Sequence, residues 1–137
     1  MALTILFDQI PRNIYRKTGK AFEFESYALS LIRFILSERL DRTYKFFERV
    51  FLYLPLQHSE NMEDQILCHD LFSELYKQYE NDEEMKVHGK KFMGYAEDHK
   101  NIISEYGRYP HRNFVLGRIW TEKEKIYLEN GGRRFGQ

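Results

Sequence analysis

Apolar residues along this chain recur at three- and four-residue intervals, the spacing that places them on one face of an α-helix. Ala28, Leu31, Ile32, Ile35 and Leu36 make such a stripe within residues 21–40. Tyr44, Phe47, Val50, Phe51 and Leu54 make a second, for which Asp41 is an N-cap, and Ile66, Leu67, Leu71, Phe72 and Leu75 a third, capped by Ser59 or Asn61. A longer stripe runs through Phe92, Tyr95, Ala96, His99, Ile102, Ile103 and Tyr106 and stops at Gly107, a residue type suited to the left-handed position past a helix end. Thr121 with Glu124 reads as a capping box opening a last helix over 122–129, which Asn130-Gly131-Gly132 ends. The chain also starts on an apolar pattern, Leu3, Ile5, Leu6 and Ile10. Pro11 and Pro55 mark places where a helix stops, bends or begins a new turn, because proline lacks the N–H and crowds the preceding turn. No run alternates apolar with polar, and no Asn-Gly or Asp-Gly turn joins two such runs. The prediction is all-α: successive helices joined by short turns and therefore packed as antiparallel neighbours. No 34-residue repeat is visible, so periodicity alone does not choose a solenoid.

Length and composition narrow this picture. The 137 residues suffice for one domain with a moderate core, and 42% apolar content with 31% charge is that of a folded chain. Lys and Arg equal Asp and Glu at 21 each, so no overall field attracts nucleic acid or an anionic membrane. No segment approaches the roughly 18 apolar residues of a membrane span. No basic leader with a cleavage site precedes the first helix, and the chain reads as cytoplasmic. Cys68, the single cysteine, excludes an internal disulfide and a cysteine-based zinc site, and between apolar neighbours it reads as a buried small residue.

Candidate chemistry lies in three polar clusters, each beside a proline at a helix end. They are Asp8, Gln9, Arg12, Asn13 and Arg16; then Gln57, His58, Ser59 and Glu60; and Arg108, His111, Arg112 and Asn113, with His99 one helix earlier. Helix ends carry backbone groups without intrahelical partners, so one reading makes these side chains ties between helix ends. The other brings the clusters together in one pocket. There the candidate ligand-binding residues are Asp8, Gln9, Arg12, Asn13, Arg16, Arg108, Arg112 and Asn113, since guanidinium forks match the oxygens of carboxylates and phosphates. His58, Glu60, His99 and His111 are the candidate acid–base groups. No two histidines show the close helical spacing of metal ligands, and neither a metal nor a cofactor is expected.

Three blocks carry a resemblance. They are Leu6-Phe7-Asp8-Gln9-Ile10-Pro11-Arg12-Asn13-Ile14-Tyr15-Arg16, Phe51-Leu52-Tyr53-Leu54-Pro55-Leu56-Gln57-His58-Ser59-Glu60, and Gly107-Arg108-Tyr109-Pro110-His111-Arg112-Asn113 with Leu116-Gly117-Arg118. Together, and in this order, they resemble the signature blocks of the bacterial family called domain of unknown function 924. The resemblance covers nearly the whole chain and implies a helical array similar to tetratricopeptide repeats without their consensus. It implies no activity, but its matching residues are polar, which is unlike a packing signature. Members of that family carry further helices before the block that starts here at Leu3, so the resemblance implies that the family's N-terminal helices are missing from this chain.

The expectation is therefore a single α-helical domain over 1–132 with a disordered tail over 133–137. Its first functional reading is a tetratricopeptide-like module that binds a peptide or another chain, with a second copy or a partner covering the N-terminal apolar face and with neither nucleic acid nor membrane as partner. The alternative is a small-anion-binding protein or a hydrolase-type enzyme using the Arg/His/Asn pocket.

Overall fold

The computed structural model of the chain describes residues 1–135 and is all-helical. Helix α1 covers 2–14 in three pieces: α-helical Ala2–Thr4, a π-helical stretch Ile5–Gln9 and α-helical Ile10–Ile14. Pro11 occupies the first turn of the last piece, so this proline opens a turn and leaves the helix unbroken. A widened π-turn just before it absorbs the missing hydrogen bond. A 3-10 turn, Gly19–Phe22, leads into α2, Glu25–Ser37. A second, Leu40–Thr43, leads into α3, Phe46–His58, which continues one turn past Pro55. Helix α4 spans Met62–Gln78 with Asn61 as its cap, and α5 spans Glu83–Tyr106 with Asp82 as its cap. Gly107 ends α5 at φ 69°, as expected of the residue past a helix end. After a 3-10 turn, Pro110–Arg112, the capping box of Thr121 and Glu124 opens α6, Glu122–Glu129.

Helices α4 and α5 form an antiparallel pair. Tyr76 lies over Gly89 at one end, and His69 Nε2 is 2.9 Å from Glu97 Oε2 further along. Helix α3 lies inside the bundle against α1, α2, α4 and α5. The main core joins Ile32 and Ile35 of α2, Phe46, Val50, Leu52, Tyr53 and Leu56 of α3, Cys68, Phe72 and Leu75 of α4, and Ala96 of α5. A smaller core of Ile102, Ile103 and Tyr109 gathers Tyr106, Tyr127 and Phe135.

Two stripes are rotated from their predicted faces. On α3, Phe47 and Phe51 are exposed while Arg49 and Gln57 are buried; on α4, Ile66 and Leu67 are exposed while Gln65 is buried. Arg49 and Gln65 have side-chain partners that periodicity does not register. Arg49 bonds Tyr53 and Gln78, and Tyr53 donates to Asp41. Asp41, expected as a cap, is buried beneath α3, and the first turn of α3 is closed by Glu48 accepting the Lys45 N–H. Of the tail expected over 133–137, residues 136–137 lie outside the described residues. Arg133 pairs with Asp98, and the Phe135 ring stacks on His99 at 4.0 Å.

Candidate functional site

The π-turn and Pro11 set the polar face of α1. Asp8 and Arg12, one turn apart, face inward and are buried, with Asp8 Oδ1 3.0 Å from Arg12 Nε. Gln9 donates to Asp8 Oδ2, Asn13 donates to the Gln9 carbonyl, and Arg16 donates to Asn13 Oδ1, so the row continues outward toward solvent.

The C-terminus of α3 meets this row. His58, its last residue, places Nδ1 2.8 Å and 3.0 Å from the two Asp8 oxygens. Because a carboxylate only accepts, Nδ1–H donates and Nε2 is left as the free ring nitrogen. Other residues satisfy the last carbonyls of this helix. Arg112 Nη2 donates to the His58 carbonyl at 2.7 Å, Tyr109 Oη donates to the Gln57 carbonyl, and the Gln65 amide nitrogen lies 3.2 Å from the Leu56 carbonyl and 2.7 Å from that of Ser59. The reading of polar residues as ties between helix ends therefore holds for this part of the cluster.

Glu25, in the first turn of α2, holds the two inner guanidiniums together: its Oε1 is 2.5 Å from Arg12 Nη2 and 2.9 Å from Arg112 Nη1. The Arg112 guanidinium lies 4.5 Å from the ring centres of both Phe22 and Tyr109, and Arg12 lies 5.2 Å from Phe22. Such stacking favours arginine over lysine. His99 of α5 donates Nδ1–H to the Tyr95 carbonyl at 2.7 Å, again leaving Nε2 free. Its ring is 6.5 Å from that of His58 and 5.7 Å from that of Tyr109.

These groups enclose a cavity of about 160 Å³ lined by Gln9, Arg12, Asn13, Arg16, His58, His99, Tyr109, His111, Arg112 and Phe135. It lies where the main core meets the smaller one. Burial dominates its electrostatics. It pushes His99 and His111 down to about 3, and nearby Arg112 adds to the effect at both. It also lowers His58, with Arg12 assisting and Asp8 opposing. Burial alone would raise Asp8, but His58 and Arg12 outweigh it and hold the carboxyl far below the usual range. At neutral pH the pocket thus holds neutral imidazoles and an ionised Asp8. Among the described residues, Arg12 pairs with Asp8 and Glu25, Arg112 pairs with Glu25, and Arg16 is in no ion pair.

Of the candidate ligand-binding residues, Gln9, Arg12, Asn13, Arg16 and Arg112 line this cavity, and Asp8 sits directly behind His58. Arg108 and Asn113 do not line it: Arg108 forms a two-pronged pair with Glu124, and Asn113 is fully buried elsewhere. Of the acid–base candidates, His58, His99 and His111 converge, whereas Glu60 accepts from Arg118 and from the Tyr109 N–H. Glu25, Phe22, Tyr109 and Phe135 belong to the site without having been singled out from sequence. A lone Glu in a first helical turn reads as a helix-dipole partner, and aromatic rings read as core. Among the described residues, no group of three His, Cys, Asp or Glu side chains is placed to hold a metal ion. None of the residues lining the cavity is a serine, threonine or cysteine. Cys68 is buried in the main core with its thiol pushed up by burial.

The arrangement can grip an oxyanion with guanidiniums and accept a proton at an imidazole that a carboxylate orients. Comparison with known proteins places it in context. Residues 1–132 match the family model described as bacterial protein of unknown function (DUF924). A solved structure of a protein of unknown function from Agrobacterium tumefaciens, ATU0120, superposes with a TM-score of 0.82 at 33% identity, covering 95% of this chain and 66% of that one. No curated protein matches the chain.

Proposed function

The chain belongs to the DUF924 family of bacterial proteins of unknown function, and we propose that this member binds a small oxyanion in the His58 pocket and moves a proton at it. The reaction class is hydrolysis, with a water activated by His58. The convergence of Arg12, Arg16, Arg112, His58 and His99 on one cavity carries this reading. Asp8 orients His58 and keeps its Nδ1 protonated, so Nε2 is the base, as in other carboxylate–imidazole pairs. No serine, threonine or cysteine is among the described residues lining the cavity, and the Tyr109 hydroxyl is engaged with the Gln57 carbonyl and the Gln65 amide, so the nucleophile in this reading is water. Arg16, the most exposed of the guanidiniums and in no ion pair among the described residues, is the one free to close on the anion.

Calorimetric titration with inorganic phosphate and with acetate tests binding, and turnover of p-nitrophenyl acetate and p-nitrophenyl phosphate tests the reaction. Arg16→Ala is expected to weaken anion binding roughly tenfold, the loss of one charge-assisted hydrogen bond. His58→Gln is expected to abolish turnover while binding persists. Because burial lowers the His58 pKa, the wild-type rate rises with pH along a limb lying below 6.5 and is flat by neutrality. Turnover unchanged in His58→Gln would remove the dyad from the mechanism.

One observation favours a second reading, a tetratricopeptide-like module that binds a peptide, a partner chain or a second copy. Leu3, Leu6, Ile10 and Ile14 along α1 are 53%, 46%, 41% and 67% exposed. Contiguous exposed apolar residues of this kind drive association. Sedimentation at tens of micromolar checks it, and a strictly monomeric species counts against it.

A further inference from the structure

A second hollow adjoins the first. It encloses about 380 Å³ and is lined by Lys17, Phe22, His111, Arg112, Phe114, Val115, Trp120 and Arg134. His111 and Arg112 line both hollows and form the wall between them. The characters of the two differ. The first is built mostly of imidazoles, guanidiniums and amides, with the Tyr109 and Phe135 rings, whereas Phe22, Phe114, Val115 and Trp120 give the second an apolar surface with Lys17 and Arg134 at its edge.

We propose that the ligand is an amphiphilic anion, an acyl or aryl carboxylate or phosphate whose charged end sits at the His111–Arg112 wall and whose apolar body lies along Phe22, Phe114, Val115 and Trp120. This rests on the oxyanion reading above and adds the substrate class. Three observations support it. Small-molecule sites usually enclose roughly 300–1,000 Å³, are mostly apolar and carry a few placed polar groups; the first hollow alone is smaller and mostly polar, and the two together meet that description. The wall itself has unmet bonding capacity: Arg112 Nε and His111 Nδ1 are buried without a partner among the described residues. Buried donors and acceptors left unpaired destabilise a fold, and a polar ligand group at the wall would satisfy them. Finally, Phe114 is 82% exposed beside this hollow, a large apolar surface left in water unless a ligand covers it.

Trp120 is the single tryptophan of the chain, so its emission reports on this hollow. The test is a binding series of acetate, butyrate, hexanoate and octanoate, the corresponding alkyl phosphates, and octanol as the uncharged control. Affinity and Trp120 emission are followed together in the wild type and in Phe114→Glu. Each added methylene that is buried is expected to tighten binding about fourfold, levelling off when the hollow is full. Trp120 emission shifts with the longer members, Phe114→Glu removes the gain with length, and octanol binds far more weakly than octanoate. Equal affinity for acetate and octanoate with Trp120 unmoved overturns the inference and leaves the oxyanion reading standing. Octanol binding as tightly as octanoate also overturns it, since the hollow then selects for apolarity alone. Binding by no anion of any length overturns both.

Discussion

His99 shows how burial couples this site to stability. Unfolded, its imidazole takes up a proton near 6.5; folded, burial defers that to about 3. Between these values the unfolded state holds more protons, so stability is fully present above 6.5 and falls as pH drops. The expected loss from His99 alone is about 1.4 kcal/mol per pH unit between pH 6 and 4. Urea unfolding of the wild type and His99→Gln across this range checks it, the variant giving the shallower dependence. Asp8 acts further down the scale. Its carboxyl is depressed from 3.8, so its contribution is complete above about pH 4 and is lost as pH falls further. Asp8→Ala leaves Arg12 with Glu25 alone and is expected to cost about 3 kcal/mol at pH 7, with the gap to wild type narrowing below pH 4. The sequence exposes these groups well: polar residues crowded beside Pro11, Pro55 and Pro110 are visible in the string itself. Their assembly is less visible. Nothing in the residue types separates Arg112, which lines the cavity, from Arg108 and Arg118, which clamp Glu124 and Glu60. Glu25, which binds two of the site's guanidiniums, has no local signature at all.

Helices are the scale at which the sequence reads best. Capping residues at Asn61 and Thr121, with Gly107 past the end of α5, locate helix ends because their chemistry is local, whereas the Asp82 cap sits in an acidic stretch that does not distinguish it. Faces are harder, because a helix surrounded on several sides has no single apolar stripe. Phe47, Phe51, Ile66 and Leu67 are exposed for that reason, and buried Arg49 and Gln65 replace them through hydrogen bonds to residues far along the chain. Two glycines inside α5 separate packing from propensity. A Cβ at Gly89 would lie 3.3 Å from the Tyr76 Cα, a backbone atom of α4 that cannot easily yield, whereas a Cβ at Gly94 meets nothing within 4 Å. Gly94→Ala is expected to stabilise by about 0.5–1 kcal/mol through backbone entropy alone. Gly89→Ala is expected to destabilise by about 1 kcal/mol or more through overpacking of the α4–α5 pair. Thermal unfolding of the two variants side by side measures the difference.

At the scale of the molecule, the cavity lies on the seam between the larger core and the smaller one around Tyr109. Its walls come from α1 and Arg16 just after it, the end of α3, His99 of α5, and the segments after α5 that carry Tyr109, His111, Arg112 and Phe135, so it exists only when all of these are docked. The exposed face of α1 lies at the same end of the chain. Leu6→Glu with Ile10→Glu is expected to change stability by no more than about 0.5 kcal/mol, as for other exposed positions. The double variant should abolish any concentration-dependent sedimentation, which one velocity series would establish. The chain spans 66% of the Agrobacterium protein it superposes on, so what that longer protein does belongs to the whole of it.

The pairing of Glu25 with Arg112 reaches across 87 residues, and that of Asp8 with His58 across 50. A ribosome adding about 5–20 residues per second takes roughly 4–17 s to extend the chain from the first of these partners to the second. Throughout that interval the nascent α2 carries a carboxylate whose second arginine has not been made. The pocket therefore cannot be complete until most of the helices have emerged, so Glu25 and Asp8 wait for partners that are synthesised later.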